Sequence, residues 1–445
     1  MTVRPFSEGR RQFLHMAMGG FALALRFLTW RQAVALACAA LAFNLLVLPR
    51  IGKGLYRPTD ARFAAGIILY PLAVLLLLLC FPRRPDIVAA AWAILAAGDG
   101  MATLAGRAMP IARLPWNPDK SYGGLIAFVL CGGSAAIALA MWTAPAVQPV
   151  PGVAFLVAAP LAAALAAGLV ETIPVGLDDN LRVPAAAAIV LGSAAVIDPD
   201  RARALSGTEV TMGIAMAANT AVAAAGWLAG TVTVPGAIAG LVIGVVIWMG
   251  AGWQGWVLLL AAFATAVLTT KLGGRRKAVL GIAEERGGRR GAGNAIANTG
   301  VAAWIAAVAA LSTYGDAALA AFVAALVAGS SDTVASEVGK AYGRRTWLVT
   351  TLRPVPAGTS GAVSSEGTAA GAAAAVLLAA LGAGLGLISV TLIIPLAVAA
   401  VLAAMVESVL GSTLEPRGLV NNDLLNVITT SVAAVLGVAA WRLFA

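Results

Sequence analysis

Charge is what this chain has least of. Only 11% of its 445 residues are Asp, Glu, Lys or Arg, while 60% are hydrophobic. So little polar surface cannot solvate an ordinary soluble globule of this size. Histidine is nearly absent: His15 stands alone, and beside the arginines of an interfacial segment it reads as structural rather than as a general base. The three cysteines, Cys38, Cys80 and Cys131, lie in apolar sequence without CxxC spacing, which excludes a disulfide framework or thiolate metal centre. No GxxxxGK[ST] occurs, so any nucleotide site is not a P-loop. No basic helix, zinc spacing or base-stacking aromatic motif accompanies the net charge of +10, which argues against a nucleic-acid partner.

What remains is apolar helix. Mean hydropathy is +0.91, and runs such as FAAGIILYPLAVLLLLLCF (63–81) approach the roughly 20 residues that cross a bilayer. The expectation is an all-α polytopic integral membrane protein with about 13 to 15 transmembrane helices. The Ala and Gly content suits close helix packing in lipid. Arg10 and Arg11 have the form of a twin-arginine export signal, but the chain continues as a polytopic protein, so they read as the cytoplasmic anchor of a first helix. The other basic loops, Arg50 to Arg62, Arg107 to Lys120, Lys271 to Arg290 and Lys340 to Arg353, read as cytoplasmic by the same rule.

With only 20 acids in the chain, each one in apolar sequence is a functional candidate. Asp99, in AAGDGMATLAGR, is followed by Thr103, Gly106 and Arg107 at plus four, seven and eight; Asp332, in SSDTVASEVGK, has Ser336, Gly339 and Lys340 at the same offsets. On a helix, acid, hydroxyl and glycine share one face. Each motif leads into a Pro-containing loop, then Ser and Gly at the next helix, then Val-Glu (Glu171, Glu407), then an Asp/Asn cluster: Asp178, Asp179 and Asn180 in one case, Asn421, Asn422 and Asp423 in the other. The order predicts two tandem homologous modules joined near residues 198 to 235.

Carboxylates and amide oxygens are hard ligands suited to Mg²⁺, and basic, glycine-rich loops complement phosphate; together they are an inventory for phosphoryl transfer. Asp99, Asp179, Asp332, Glu337 and Asp423 are the candidate metal ligands. Lys120, close before Gly-Gly at a helix start, is a candidate phosphate contact. The segment KLGGRRKAVLGIAEERGGRRGAGNAIANTG (271–300) reads as an anion cradle of Arg289 and Arg290, with Asn294 and Asn298 one turn apart on the following helix. The alternatives left open are a cytidylyltransferase using the same ligands, and a repeat-built transporter.

The first half, through EGRRQFLHMAMGG, GDGMATLAGR, LPWNPDKSYGGLIAF and ETIPVGLDDNLRVP, resembles the phytol kinase and dolichol kinase group of CTP-dependent polyprenol kinases. The second, through GIAEERGGRRGAGNAIANTG, SSDTVASEVGK, PVPAGTSGAVSSEGT and NNDLLNVI, is similar to the integral membrane family of phytyl-phosphate kinase and transmembrane protein 19. The resemblance implies a kinase-like module over 1–200, a linker and first helix over 201–234, and a phytyl-phosphate-kinase-like module over 235–445. It implies a bacterial inner-membrane enzyme with cytoplasmic sites that phosphorylates an isoprenoid alcohol and then the monophosphate, with CTP as donor and Mg²⁺ as cofactor. It also implies a first site of Asp99, Lys120, Glu171, Asp179 and Asn180, joined by Thr103, and a second of Asp332, Glu337, Thr359, Glu407, Asn422 and Asp423, joined by Ser336. The second loop lacks a lysine near Thr359, so the two modules are expected to differ.

Overall fold

The computed structural model describes residues 8–51, 65–108, 112–174, 176–205, 208–282 and 285–445. The basic stretch beyond Arg50, to Arg62, and the Arg10 side chain lie outside them. The chain divides into two compact units, Met1–Ala195 and Val196–Ala445, and each is an all-α bundle decorated, among the described residues, with one two-stranded hairpin. Among the described residues eleven helices are long and apolar enough to cross a bilayer, so the protein is an integral membrane protein.

In the first unit, the longer helices are α1 (Glu8–Met18), α2 (Trp30–Leu46), α3 (Ala65–Cys80), α4 (Pro85–Ala93), α5 (Gly100–Ala108), α6 (Tyr122–Thr143), α7 (Val153–Glu171) and α8 (Asp179–Ala194). Between α4 and α5 the backbone widens into a π-helical turn, Ile94–Asp99, and between α5 and α6 stands the antiparallel hairpin β1 (Arg113–Leu114) and β2 (Asn117–Ser121). The α4 segment is the core of this unit, with every residue from Asp86 to Ala93 buried. Asp86 is tolerated there because Arg84 grips both its oxygens, at 2.9 and 2.7 Å.

In the second unit the longer helices are α9 (Glu209–Leu228), α10 (Val234–Lys271), α11 (Gly274–Val279), α12 (Ala292–Leu311), α13 (Gly315–Tyr342), α14 (Ser365–Gly384), α15 (Ile393–Thr413) and α16 (Asn422–Phe444), with β3 (Thr346–Leu348) and β4 (Ala362–Ser364) before α14. Helix α13 is central, buried almost continuously from Ala317 to Ser331. The 38-residue α10 is broken at Gly252, whose φ of 71° and ψ of −178° no helix contains. Gly236 and Ala266, from opposite sides of the break, both lie against Arg290. The break therefore reverses the chain into two arms, each near the ~20 residues of a crossing. The sequence count of about 13 to 15 exceeds eleven because this pair forms one continuous run and because the apolar helix Gly66–Cys80 is short.

Matched caps start the helix after each hairpin. Ser121 Oγ accepts from Gly124 N at 3.1 Å, and Ser364 Oγ accepts from Gly367 N at 3.1 Å. In each unit the glycine seven residues after the motif acid faces that serine: a Cβ on Gly106 would stand 3.4 Å from Ser121 Oγ, and one on Gly339 would stand 3.0 Å from Ser364 Oγ.

Candidate phosphotransfer sites

Asp99 ends the π turn because both flanks are packed too closely for a side chain. A Cβ on Gly98 would lie 3.0 Å from the Phe128 ring, and one on Gly100 would run into Met16. The wide turn, a form frequent at functional sites, brings the Asp99 carboxylate toward α1. His15 Nε2 lies 3.5 Å from Asp99 Oδ2 and donates to the Leu95 carbonyl at 3.1 Å; a carbonyl only accepts, which places the proton on Nε2 and leaves Nδ1 as the open lone pair. Burial holds the His15 imidazole below its ordinary value, against the bond to Leu95 and with help from Arg11. Tyr70 braces α1 by donating to the His15 carbonyl at 3.4 Å, and Trp92 donates to the Tyr70 hydroxyl at 2.8 Å.

Glu171 is the last residue of α7 and Asp179 the first of α8. One oxygen from each of Asp99, Glu171 and Asp179 lies within 4.8 Å of the others, the acidic cluster with this spacing among the described residues. Lys120, carried in by β2, pairs with buried Glu171 and lies 3.6 Å from Asp179. Burial works against its charge, but Glu171, Asp179 and Asp99 outweigh it and hold the Lys120 pKa above the ordinary lysine value. The hairpin is fixed by Trp116 and Asn117, which donate to the Thr172 hydroxyl and carbonyl at 3.0 Å each. Asp178 caps α8 at Asn180 N, 2.9 Å, and also accepts from the Asn180 side chain at 2.7 Å. The Asn180 Oδ1 is buried without a partner. A cavity of about 420 Å³ runs past Thr103, Gly106, Arg107, Lys120 and Glu171.

Three hard oxygen donors at this spacing fit a small divalent cation that keeps several waters. The existing pairs show which donors are already engaged: Lys120 holds Glu171, and Arg182 holds Asp179. Arg182 was not singled out from the sequence, although its position three residues after Asp179 is an ordinary helical pairing distance.

In the second unit two clefts meet, the smaller mainly polar. One, of about 400 Å³, is lined by Arg289, Arg290, Asn294, Asn298, Glu337 and Asp423, among others. The other, of about 780 Å³, reaches Thr359, Glu407 and the β3–β4 loops. Asp332, Ser336, Lys340 and Asn422 line both. All the second-site residues read from the sequence therefore lie along these two joined clefts. Arg290 reaches Asn294 Oδ1 at 2.7 Å and Thr270 Oγ1 at 3.3 Å. Glu407 accepts from Thr429 at 2.5 Å, and Thr359 donates to the Pro356 carbonyl at 2.7 Å. Asn421 caps α16 at Leu424 N, 2.9 Å, which leaves Asn422 and Asp423 exposed at the helix start.

Glu337 is held by two lysines. Lys277 Nζ reaches it at 2.5 Å in a pair that is almost fully buried, and Lys340 Nζ reaches its other oxygen at 3.2 Å. Lys277 comes from α11, inside the segment read as an anion cradle, and nothing in the local sequence marked it as the residue that goes inward. Its ammonium also bonds the Thr270 carbonyl at 2.6 Å, closing the end of α10. The residue just before the helix cap, lysine in the first unit, is Val363 in the second.

Residues 217–436 match the family described as integral membrane protein DUF92. The uncharacterized membrane protein sll0875 of Synechocystis sp. is 44% identical over 200 residues, covering 44% of this chain and 78% of the relative. Protein VTE6, chloroplastic, of Arabidopsis thaliana is 30% identical over 211 residues, covering 46% and 63%. Probable phytol kinase 3, chloroplastic, of Glycine max is 33% identical over 141 residues, covering 31% and 44%, so the chain spans less than half of that relative's length. No solved structure matches the chain. The chain belongs to the DUF92 family of integral membrane proteins.

Proposed function

We propose that the protein is a membrane-embedded, Mg²⁺- and CTP-dependent phosphotransferase. In this reading the first unit converts an isoprenoid alcohol to its monophosphate, the second extends the monophosphate to a diphosphate, and both sites face the cytoplasm of a bacterial inner membrane. The observation that carries it is the convergence of Asp99, Glu171 and Asp179 with Lys120 between them. Phosphoryl transfer needs little covalent help from the protein; it needs charge neutralised and reactants held in line. A similarity to a protein named as a probable phytol kinase supports the substrate class. The matched serine caps and the glycines facing them support two modules of common design.

In the first unit the alcohol oxygen would bond to the γ-phosphorus while the bond from that phosphorus to the bridging β-oxygen breaks. A nucleoside diphosphate leaves, and the hydroxyl proton passes to the Asp99–His15 pair. Asp99, Glu171 and Asp179 would hold Mg²⁺, which when bound neutralises the triphosphate. Lys120 would then meet the transferring phosphoryl oxygens, and Thr103 and Asn180 would orient the nucleotide.

In the second unit the attacking atom is a phosphate oxygen and needs no base. Asp332 and Asp423 would carry the cation, with Glu407 facing Asp332 across the larger cleft. Ser336, Thr359 and Asn422 would bind the nucleotide. Arg289, Arg290, Asn294 and Asn298 would bind the acceptor phosphate. Glu337, engaged by two lysines, anchors Lys340 in the cleft.

The test is label transfer. Purified protein in liposomes with Mg²⁺ and γ-labelled CTP should move label into lipid when given phytol or phytyl monophosphate. Label that enters lipid only from the α-position, with release of pyrophosphate, would show a cytidylyltransferase. No labelled lipid from either position, in folded protein, would leave transport as the better reading.

A further inference from the structure

The joined clefts of the second unit do not stop at Arg290. Arg290, Asn294, Asn298 and Thr333 also line a groove of about 130 Å³, whose other walls are mostly apolar, with Asn219, Thr299 and Ser330 among them. It runs between α9, both arms of α10, α12 and α13, past Ala223, Gly240, Ile243, Leu259, Phe263 and Leu326. The reversal at Gly252 makes the groove, since residues from each arm form facing walls. Asn298 stands where groove and polar cleft join, only 9% exposed, with its Oδ1 lacking a partner. An unsatisfied buried amide oxygen at such a junction is costly unless a ligand donor or water reaches it.

We propose that this groove holds the hydrocarbon chain of a single-chain anionic amphiphile, an isoprenyl monophosphate, whose phosphate lies among Arg290, Asn294 and Asn298. Arg290, Asn294 and Asn298 stand where the groove meets the cleft that carries Asp332, so a chain laid along its apolar walls delivers its head group to the acidic site. Burying a chain there gains free energy against water but little against lipid, so the groove acts by orienting substrate rather than by raw affinity. The identity of the occupant rests on the phosphotransferase reading of the second unit; the existence of a chain site does not.

The experiment uses the full chain in liposomes and a C20 isoprenyl monophosphate carrying a diazirine at the far end of its chain. After illumination, the label is mapped by mass spectrometry, independently of turnover. Gly240→Phe places a ring on the wall of the groove at a position where a Cβ meets no atom within 4 Å; Ala237→Leu is a second filling variant. Val242→Phe is the control, since Val242 is 54% exposed and lines no part of the groove. The expected result is label on groove residues of α9 and α10, reduced about tenfold in both filling variants and unchanged in Val242→Phe. Label spread over the outer surface, label indifferent to the filling variants, or equal competition by a diacyl phospholipid would each overturn the proposal. If groove labelling is found without phosphate transfer, the chain site stands and the kinase reading falls.

Discussion

His15, near the start of the first unit, and Asp99, in its middle, face each other at 3.5 Å, and the same imidazole Nε2 lies 3.1 Å from the Leu95 carbonyl. The pair exists because Gly100 leaves room for Met16, so that α1 lies directly on the π turn. His15→Ala should lower phosphorylation of the alcohol by about 100-fold, the scale of one acid–base partner, and leave monophosphate phosphorylation unchanged. Equal rates for both steps in this variant would assign His15 a packing role only.

Lys120 reaches two of the three acids, Glu171 and Asp179. Lys120→Met should reduce alcohol phosphorylation by roughly 100- to 1,000-fold, as for loss of a single preorganised charge, with little change in the KM for the alcohol. A rise in that KM at constant kcat would show that Lys120 binds substrate instead of stabilising the transferring group.

Tight packing around the π turn predicts a stability effect. Gly98→Ala places a methyl group 3.0 Å from Phe128 and should cost about 1–3 kcal/mol, read as a lower Tm in detergent. Gly152→Ala, where a Cβ meets nothing within 4 Å, is the neutral comparison, and identical melting of the two would refute the close approach.

The buried Lys277–Glu337 pair predicts non-additivity. Lys277→Met leaves Glu337 buried with Lys340 alone and should destabilise the protein by about 3–5 kcal/mol. Adding Glu337→Met should restore much of that loss. Additive costs in a double-mutant cycle would mean that the two groups do not interact.

The membrane class and the helical fold were legible in the sequence, because apolar runs are local signals. Asp99, Lys120, Glu171 and Asp179, grouped through the resemblance, lie close together in the fold. Lys277 was not legible: it sits among basic residues that all read as surface, and only the packing of α11 against α13 turns it inward. The groove was equally hidden, since it depends on one glycine reversing α10, and a glycine within an apolar run carries no mark that distinguishes a break from a packing site. A lone histidine near arginines gives no hint that its helix returns to the Asp99 turn, so the 3.5 Å approach of His15 to Asp99 is visible only in the fold.

The most direct measurement compares Asp99→Asn and Asp332→Asn in the liposome assay with γ-labelled CTP, supplied in turn with phytol and with phytyl monophosphate. Two independent phosphotransfer sites predict that Asp99→Asn abolishes label in the monophosphate from phytol and still yields diphosphate from phytyl monophosphate, with the reverse pattern for Asp332→Asn. Loss of neither step in either folded variant would contradict the two-site mechanism.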